Sequence, residues 1–244
     1  MSWLRSYLLL LRWNTLRLRF MLPLFVVVQA GLAVGVIIGF AFLVPNIDST
    51  SALYLATGGP TIGLITVGLA MAPQMLAQHK LAGSFDFDRL LPVPRLAALA
   101  ADMTIWILGS LPGIVLALVV AGLRFDLDFT ISPLVGPAFL LVALTATALG
   151  YGLAHALPPM AATLLTQVLV FFTLLFSPIN FPADRLPDWL RVAHEWLPVQ
   201  YMAQAIRETL VVPVDGVSPT PYAVLAVWCA AGLVLTHRLM SVRA

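Results

Sequence analysis

Side chains able to bond, titrate or grip a ligand are scarce in this chain and gather in a few places. In the apolar stretch before Pro178, Thr163, Thr166, Gln167, Thr173 and Ser177 fall within about 120° on a helical wheel, with Val170 among them. Polar side chains without partners are costly in hydrocarbon, and the Gln167 amide needs several, so this arc should face protein or a cavity. Phe171, Phe172 and Phe176 adjoin it and offer an adaptable apolar wall, although aromatic residues in such a helix ordinarily face lipid or a neighbour. Thr163, Thr166, Gln167, Val170, Phe171 and Thr173 are therefore candidate lining of a pathway. A second set runs from Gln78 to Arg95. Ser84 suits a helix N-cap, Asp86 and Asp88 suit the first turn, and Arg89 follows them. With Phe85, Phe87, Leu90 and Leu91 as apolar anchors, this is equipment for docking a soluble partner; the plainer reading is a loop resting on lipid headgroups.

Chemistry of other kinds is missing. The chain has no Gly-Lys pair, hence no Walker A loop, and neither H-E-x-x-H nor G-x-S-x-G occurs. Its four histidines, His79, His155, His194 and His237, lie in different loops or helix ends, and Cys229 stands alone, so no metal site and no internal disulfide are expected. Asp102 and His155 are the best candidates for an intramembrane relay, but both fall near the ends of apolar windows and read as interface residues. No catalytic residue and no cofactor bound by this chain are expected.

The elements that must hold these residues follow from composition. The hydrophobic set makes up 61% of the 244 residues, charged residues only 10%, and mean hydropathy is +0.98. An ordinary soluble domain carries about a quarter charged residues. A soluble enzyme, a disordered tail and a nucleic-acid-binding module are excluded. A membrane helix needs about 20 apolar residues. Spans are expected at 22–44, 53–77, 97–123, 132–155, 159–178 and 220–239, in one transmembrane unit covering 1–244. The long window without Asp, Glu, Lys or Arg from Phe129 to Ala183 is divided at Pro158-Pro159, because paired prolines cannot continue a helix. The expected fold class is an all-α integral membrane protein with six transmembrane helices.

Charge placement orients the chain. With the N-terminus in the cytoplasm, Arg5, Arg12, Arg17, Arg19, Lys80, Arg89, Arg95, Arg238 and Arg243 lie inside. Asp48, Asp126, Asp128, Asp184, Asp188, Glu195, Glu208 and Asp215 then lie outside. Residues 1–20 are too basic to span. Arg5, Arg12 and Arg19 recur every seven residues and form one stripe, with Trp3, Leu4, Tyr7, Leu8 and Leu11 largely off it. An amphipathic helix in the cytoplasmic interface is expected, a plain topogenic basic segment being the alternative. The stretch 179–219 is too apolar for a free loop. Trp189, Leu190, Val192, Trp196, Leu197, Tyr201, Met202 and Ile206 recur at helical spacing, giving two short helices near Pro187 to Trp196 and Val199 to Leu210 that cap the outer mouth. Gly31, Gly35 and Gly39 make a small-residue ridge on the first span, for a subunit interface or for packing within the protomer. Thr57-Gly58-Gly59-Pro60-Thr61 should kink or loosen the second span.

These features together resemble the ABC-2 type exporter permeases, over essentially the whole chain. The most specific part is Ser177-Pro178-Ile179-Asn180-Phe181-Pro182, followed by Leu186-Pro187-Asp188-Trp189-Leu190, Leu197-Pro198-Val199-Gln200-Tyr201 and Ala205-Ile206-Arg207. Gly83-Ser84-Phe85-Asp86 with Pro92-Val93-Pro94-Arg95 is similar to the family's coupling segment. One departure is Gln78-His79-Lys80, where many members carry an acid before the basic pair. The resemblance implies a bacterial exporter of hydrophobic or amphipathic compounds (drug, antibiotic or lipid-like). It implies two ATP-binding cassette ATPase subunits, which hold the ATP and Mg, and a second permease, identical or related, paired through the first and fifth spans. It also implies coupling through Ser84, Phe85, Asp86, Phe87, Asp88 and Arg89, and an external cap bearing Pro178, Trp189, Trp196 and Tyr201. A non-transporting membrane anchor or regulatory subunit, or the substrate-binding membrane component of an uptake system, is the competing reading.

Overall fold

Prolines and long apolar runs set the helix boundaries. A computed structural model describes residues 3–43, 48–83, 93–213 and 216–242. Helix α1 is Trp3–Leu18 and α2 is Met21–Leu43. Helix α3, Ser49–Thr66, runs through one π-helical turn, Val67–Met71, into α4, Ala72–Leu81. Helix α5 is Arg95–Phe125, α6 is Val135–Ala156 and α7 is Pro159–Phe176. A 3-10 turn at Ala183–Arg185 precedes α8, Asp188–Trp196, and α9, Pro198–Leu210. Helix α10 is Thr220–Val242. Pro159 and Pro198 open their helices at the first turn, where the missing N–H costs nothing.

Six helical stretches are long and apolar enough to cross a membrane: Met21–Gly39, Ser49–Leu81, Leu96–Phe125, Val135–Ala156, Pro159–Phe176 and Thr220–Met240. Among the described residues no strand occurs; Thr130 and Val211 form one isolated bridge. The molecule is an all-α membrane protein of six candidate spans.

The second span is the axis of the bundle. It is 33 residues long and 89% buried in its most apolar window, whereas the first, fifth and sixth are 22%, 17% and 22% buried. At about 1.5 Å per residue it extends roughly 50 Å, well beyond the roughly 30 Å hydrocarbon core. Helices α2 and α5 pack on one side of it, with α1 laid against α5; α6 and α10 pack together on the other side, and α7 rests on α4. Helix α9 lies across α3, α6 and α10 at the end away from α1.

Two of these contacts explain local sequence. At the π turn α3–α4 crosses α6 with backbones nearly touching: a Cβ on Gly150 would stand 2.1 Å from the Gly68 carbonyl oxygen, and one on Gly68 would stand 2.5 Å from the Ala146 Cβ. Only glycine fits either position. Just before the turn, buried Gln29 of α2 donates its amide to the Gly63 carbonyl at 2.6 Å. At Gly58-Gly59-Pro60, where a kink or loosening is expected, helix α3 continues through Pro60, and an altered hydrogen-bonding register appears at 67–71. Between α6 and α10, Thr145 Oγ1 donates to the Leu225 carbonyl at 3.3 Å and Thr236 Oγ1 to the Ala148 carbonyl at 3.2 Å. Such bonds matter where lipid supplies no hydrophobic drive between helices.

Candidate functional site

The polar arc on α7 divides between two environments. Thr166 and Thr173 are buried, Val170 is half-buried, and Thr163, Gln167 and Phe171 are exposed on the protomer. The threonines do not all need a cavity: Thr163 Oγ1 donates to the Pro159 carbonyl and Thr166 Oγ1 to the Thr163 carbonyl, each at 3.0 Å within their own helix. Gln167 reaches a different helix. Its Oε1 accepts from Gln74 Nε2 of α4 at 3.3 Å, an exposed contact across the α4–α7 seam. Gln74 lies inside the expected 53–77 span as one polar residue with no motif around it, and only the fold brings it to Gln167.

After α7 the chain turns sharply. Ser177 leaves the helix in an extended conformation, and the Ile179 N–H donates to the Ser177 carbonyl at 2.8 Å. Ser177, Pro178, Ile179 and Asn180 are all buried. Arg207 of α9 holds this turn. Its Nη2 donates to the Ile179 carbonyl at 2.9 Å, its Nε donates to Thr57 Oγ1 at 3.3 Å, and its guanidinium lies 3.7 Å from the centre of the Tyr54 ring. The residue keeps some exposed surface, but its charged head is desolvated, which lowers its pKa to about 10. Glu208 next to it is engaged elsewhere, accepting from Gln204 Nε2 and the Ser218 N–H. Gly58 fits against the same turn: a Cβ there would stand 2.0 Å from Asn180 Oδ1. The glycine pair that reads as a kink is, at Gly58, a seat for Asn180. Sequence reasoning places Arg207 only as an external charge and family match; its partners lie 28 and 150 residues away, beyond any local pattern.

The cap follows. Helix α8 buries Leu190 and His194 and exposes Trp189, Val192 and Trp196; Arg191 pairs with Asp188 at 3.0 Å on its solvent side. His194 donates Nε2–H to the Phe176 carbonyl at 2.9 Å, leaving a buried Nδ1 with no partner among the described residues. Burial holds its pKa below the usual 6.5, consistent with a neutral ring. The Tyr201 hydroxyl donates to the Glu195 carbonyl at 2.8 Å and ties α9 to the end of α8.

Of the remaining expected site residues, Ser84, Phe85, Asp86, Phe87, Asp88 and Arg89 lie outside the described residues. Gly31, Gly35 and Gly39 are exposed on the protomer, and among the described residues a Cβ on any of them would meet nothing within 4 Å. His155 is buried, its Nδ1 2.8 Å from the Tyr151 carbonyl. Asp102 Oδ1 accepts from Asn14 Nδ2 of α1. Among the described residues no group of His, Cys, Asp and Glu is placed to hold a metal ion.

The model of the ABC-2 type transporter family matches residues 6–211, from within α1 to just past the end of α9. The chain belongs to the ABC-2 type transporter family. No individual curated protein matches it. It is accordingly a permease of an ABC transporter, a multi-pass membrane component that associates with an ATP-binding cassette subunit. The permease's Arg207 clasp, glycine-seated turn and α4–α7 seam all fall within the matched residues.

Proposed function

We propose that this permease exports a hydrophobic or amphipathic compound, drug-, antibiotic- or lipid-like, using ATP and Mg held by two separate ATPase subunits. The observation that carries the reading is the continuity of the second span. One rod of 33 residues joins the Arg207 clasp and the cap, through the π turn, to α4. Helix α4 leads straight into the 78–95 segment and bears Gln74 against Gln167. A push on the loop would be felt at the α4–α7 seam and at the Asn180 turn without a soluble linker between them. In this reading Ser84, Phe85, Asp86, Phe87, Asp88 and Arg89 dock on the ATPase in the cytoplasm, and both termini are cytoplasmic in the cell membrane. ATP binding shifts the pair of permeases between two states by its differential affinity for them.

Two features support pairing with a second permease through the first and fifth spans. The glycine ridge of α2 is open, and α7 leaves most of its surface uncovered. Thr163, Gln167, Val170 and Phe171 would then border a cavity between two copies, with Trp189 and Trp196 anchoring the cap in the outer leaflet's interface. The test is reconstitution of the permease with its ATPase subunit in vesicles, followed by a screen for compounds that stimulate ATP hydrolysis. Asp86→Lys with Asp88→Lys should abolish co-purification and stimulation; unchanged association and transport would remove the coupling assignment.

A further inference from the structure

We infer that His194 is a latch for the cap: a proton gained at its Nδ1 releases α8 from the end of α7. Helix α8 has little else to hold it. Of its residues only Leu190 and His194, four apart and so on one face, are buried, and its close backbone packing among the described residues is chiefly with α9. The His194 ring is fully enclosed, at 0% exposure. Its Nε2–H donates at 2.9 Å to the carbonyl of Phe176, the last residue of α7, where a helix leaves its carbonyls without partners of their own. Its Nδ1 is buried with no hydrogen-bond partner among the described residues. The Phe172 ring beside it, 6.4 Å away centre to centre, is apolar. A neutral imidazole with its proton on Nε2 satisfies this arrangement. An imidazolium does not, because its second N–H would be buried unpaired.

No neighbouring charge compensates for that. Helix α7 carries no Asp, Glu, Lys or Arg. On α8 itself Asp188 and Arg191 pair with each other and Glu195 is exposed, as are Asp184 and Arg185 of the preceding 3-10 turn. On α9 Arg207 is bound to the Ile179 carbonyl and Thr57, Glu208 to Gln204 and the Ser218 N–H, and the Tyr201 hydroxyl to the Glu195 carbonyl. None of these sets the pKa of the ring, which burial lowers and the Phe176 carbonyl partly restores. The turn between α7 and α8 is itself poorly satisfied: Ser177 Oγ and both amide atoms of Asn180 are buried without partners among the described residues. The closed cap therefore has little margin against one more unpaired N–H. A released ring regains its ordinary 6.5, so acid favours release. Above 6.5 the latch is fully set; between 6.5 and the docked value, each unit of falling pH raises the released population by up to about tenfold. That the acid acts from outside the cell rests on the orientation proposed above; the latch itself does not.

The test uses the full-length permease in nanodiscs and two readouts that involve no transport, so failure of the export reading leaves them intact. Amide hydrogen exchange is followed by mass spectrometry from about pH 7.5 to about pH 4.5, with exchange times corrected for the intrinsic rate. Protection of residues 188–196 should fall by about threefold or more per unit below 6.5, while residues 139–152 of α6 stay level. Nitrogen NMR of labelled histidine should show His194 as the Nε2–H form at neutral pH, titrating below 6.5 in step with that loss. His194→Gln keeps an N–H donor for the Phe176 carbonyl and does not titrate; its cap should lose the pH slope and supply the NMR assignment by difference. A wild-type cap whose protection does not change with pH, a His194 that titrates at 6.5 or above, or a slope that persists in His194→Gln would overturn the inference. The wild-type slope and titration decide it even where the substituted cap docks poorly at every pH.

Discussion

At Gly58 one hydrogen separates a seated turn from a collision. Gly58→Ala would drive a methyl to 2.0 Å from Asn180 Oδ1, with the Ile179 carbonyl close behind at 3.3 Å. We expect a loss of about 1–3 kcal/mol, read as a lower melting temperature in detergent. Gly35→Ala is the contrast, because nothing lies within 4 Å of the new methyl. Protomer melting should be unchanged, and only the permease pair, where that ridge is proposed to lie, should dissociate more readily in cross-linking. Arg207→Gln shortens the reach to the buried Ile179 carbonyl and removes the stack on Tyr54; a cost of about 1–3 kcal/mol is expected in the same melting assay. His194 adds a pH dependence. Its folded pKa lies below the unfolded 6.5, so the unfolded state takes up the proton first. Stability is therefore full above 6.5 and declines as pH falls below it toward the folded value. His194→Gln should flatten that slope, while a slope that persists would assign it to another group. Arg207 contributes nothing in this range, since both its folded value of about 10 and its ordinary 12.5 leave it charged.

At the scale of the element, legibility in the sequence follows how local the cause is. The boundary at Pro158-Pro159 and the two short helices before α10 are readable because proline blocks helix continuation and an amphipathic period shows within ten residues. The length of the second span is not. Its charge-free window ends at Ala77, yet the helix runs on to Leu81 through Gln78, His79 and Lys80, where Lys80 Nζ donates to the Ala154 carbonyl at the end of α6. The π turn is legible only in part: Pro73, just past it, has no N–H to give the Leu69 carbonyl, whereas the close approach of Gly68 to Gly150, 82 positions apart by their numbers, leaves no local sign. The polar arc of α7 is visible as an arc, but its division into Thr166 and Thr173 inside and Thr163 and Gln167 outside depends on α4, which no helical wheel contains. One prediction belongs here. Gln167→Leu removes the bond to Gln74 at the α4–α7 seam without opening a cavity, because the contact is exposed. Export should change in rate or in compound preference while association with the ATPase and melting stay as in wild type; wild-type export would remove Gln167 from the pathway.

For the whole molecule, the family match makes the chain the membrane component of an ABC transporter. The rod formed by α3, the π turn and α4 runs from the Arg207 clasp to the approach of the 78–95 segment, and the first, fifth and sixth spans present the least covered surfaces. The account therefore places fuel on a partner, cargo between two permeases, and coupling at the end of the second span. The most direct test is ATP-driven transport in sealed vesicles containing purified permease, its ATPase subunit, or both, with Asp86→Lys/Asp88→Lys permease as the control. The account predicts transport and compound-stimulated ATP hydrolysis only when both proteins are present, and neither with the substituted permease; cargo moved by the permease alone, or undiminished transport by the substituted form, would contradict it.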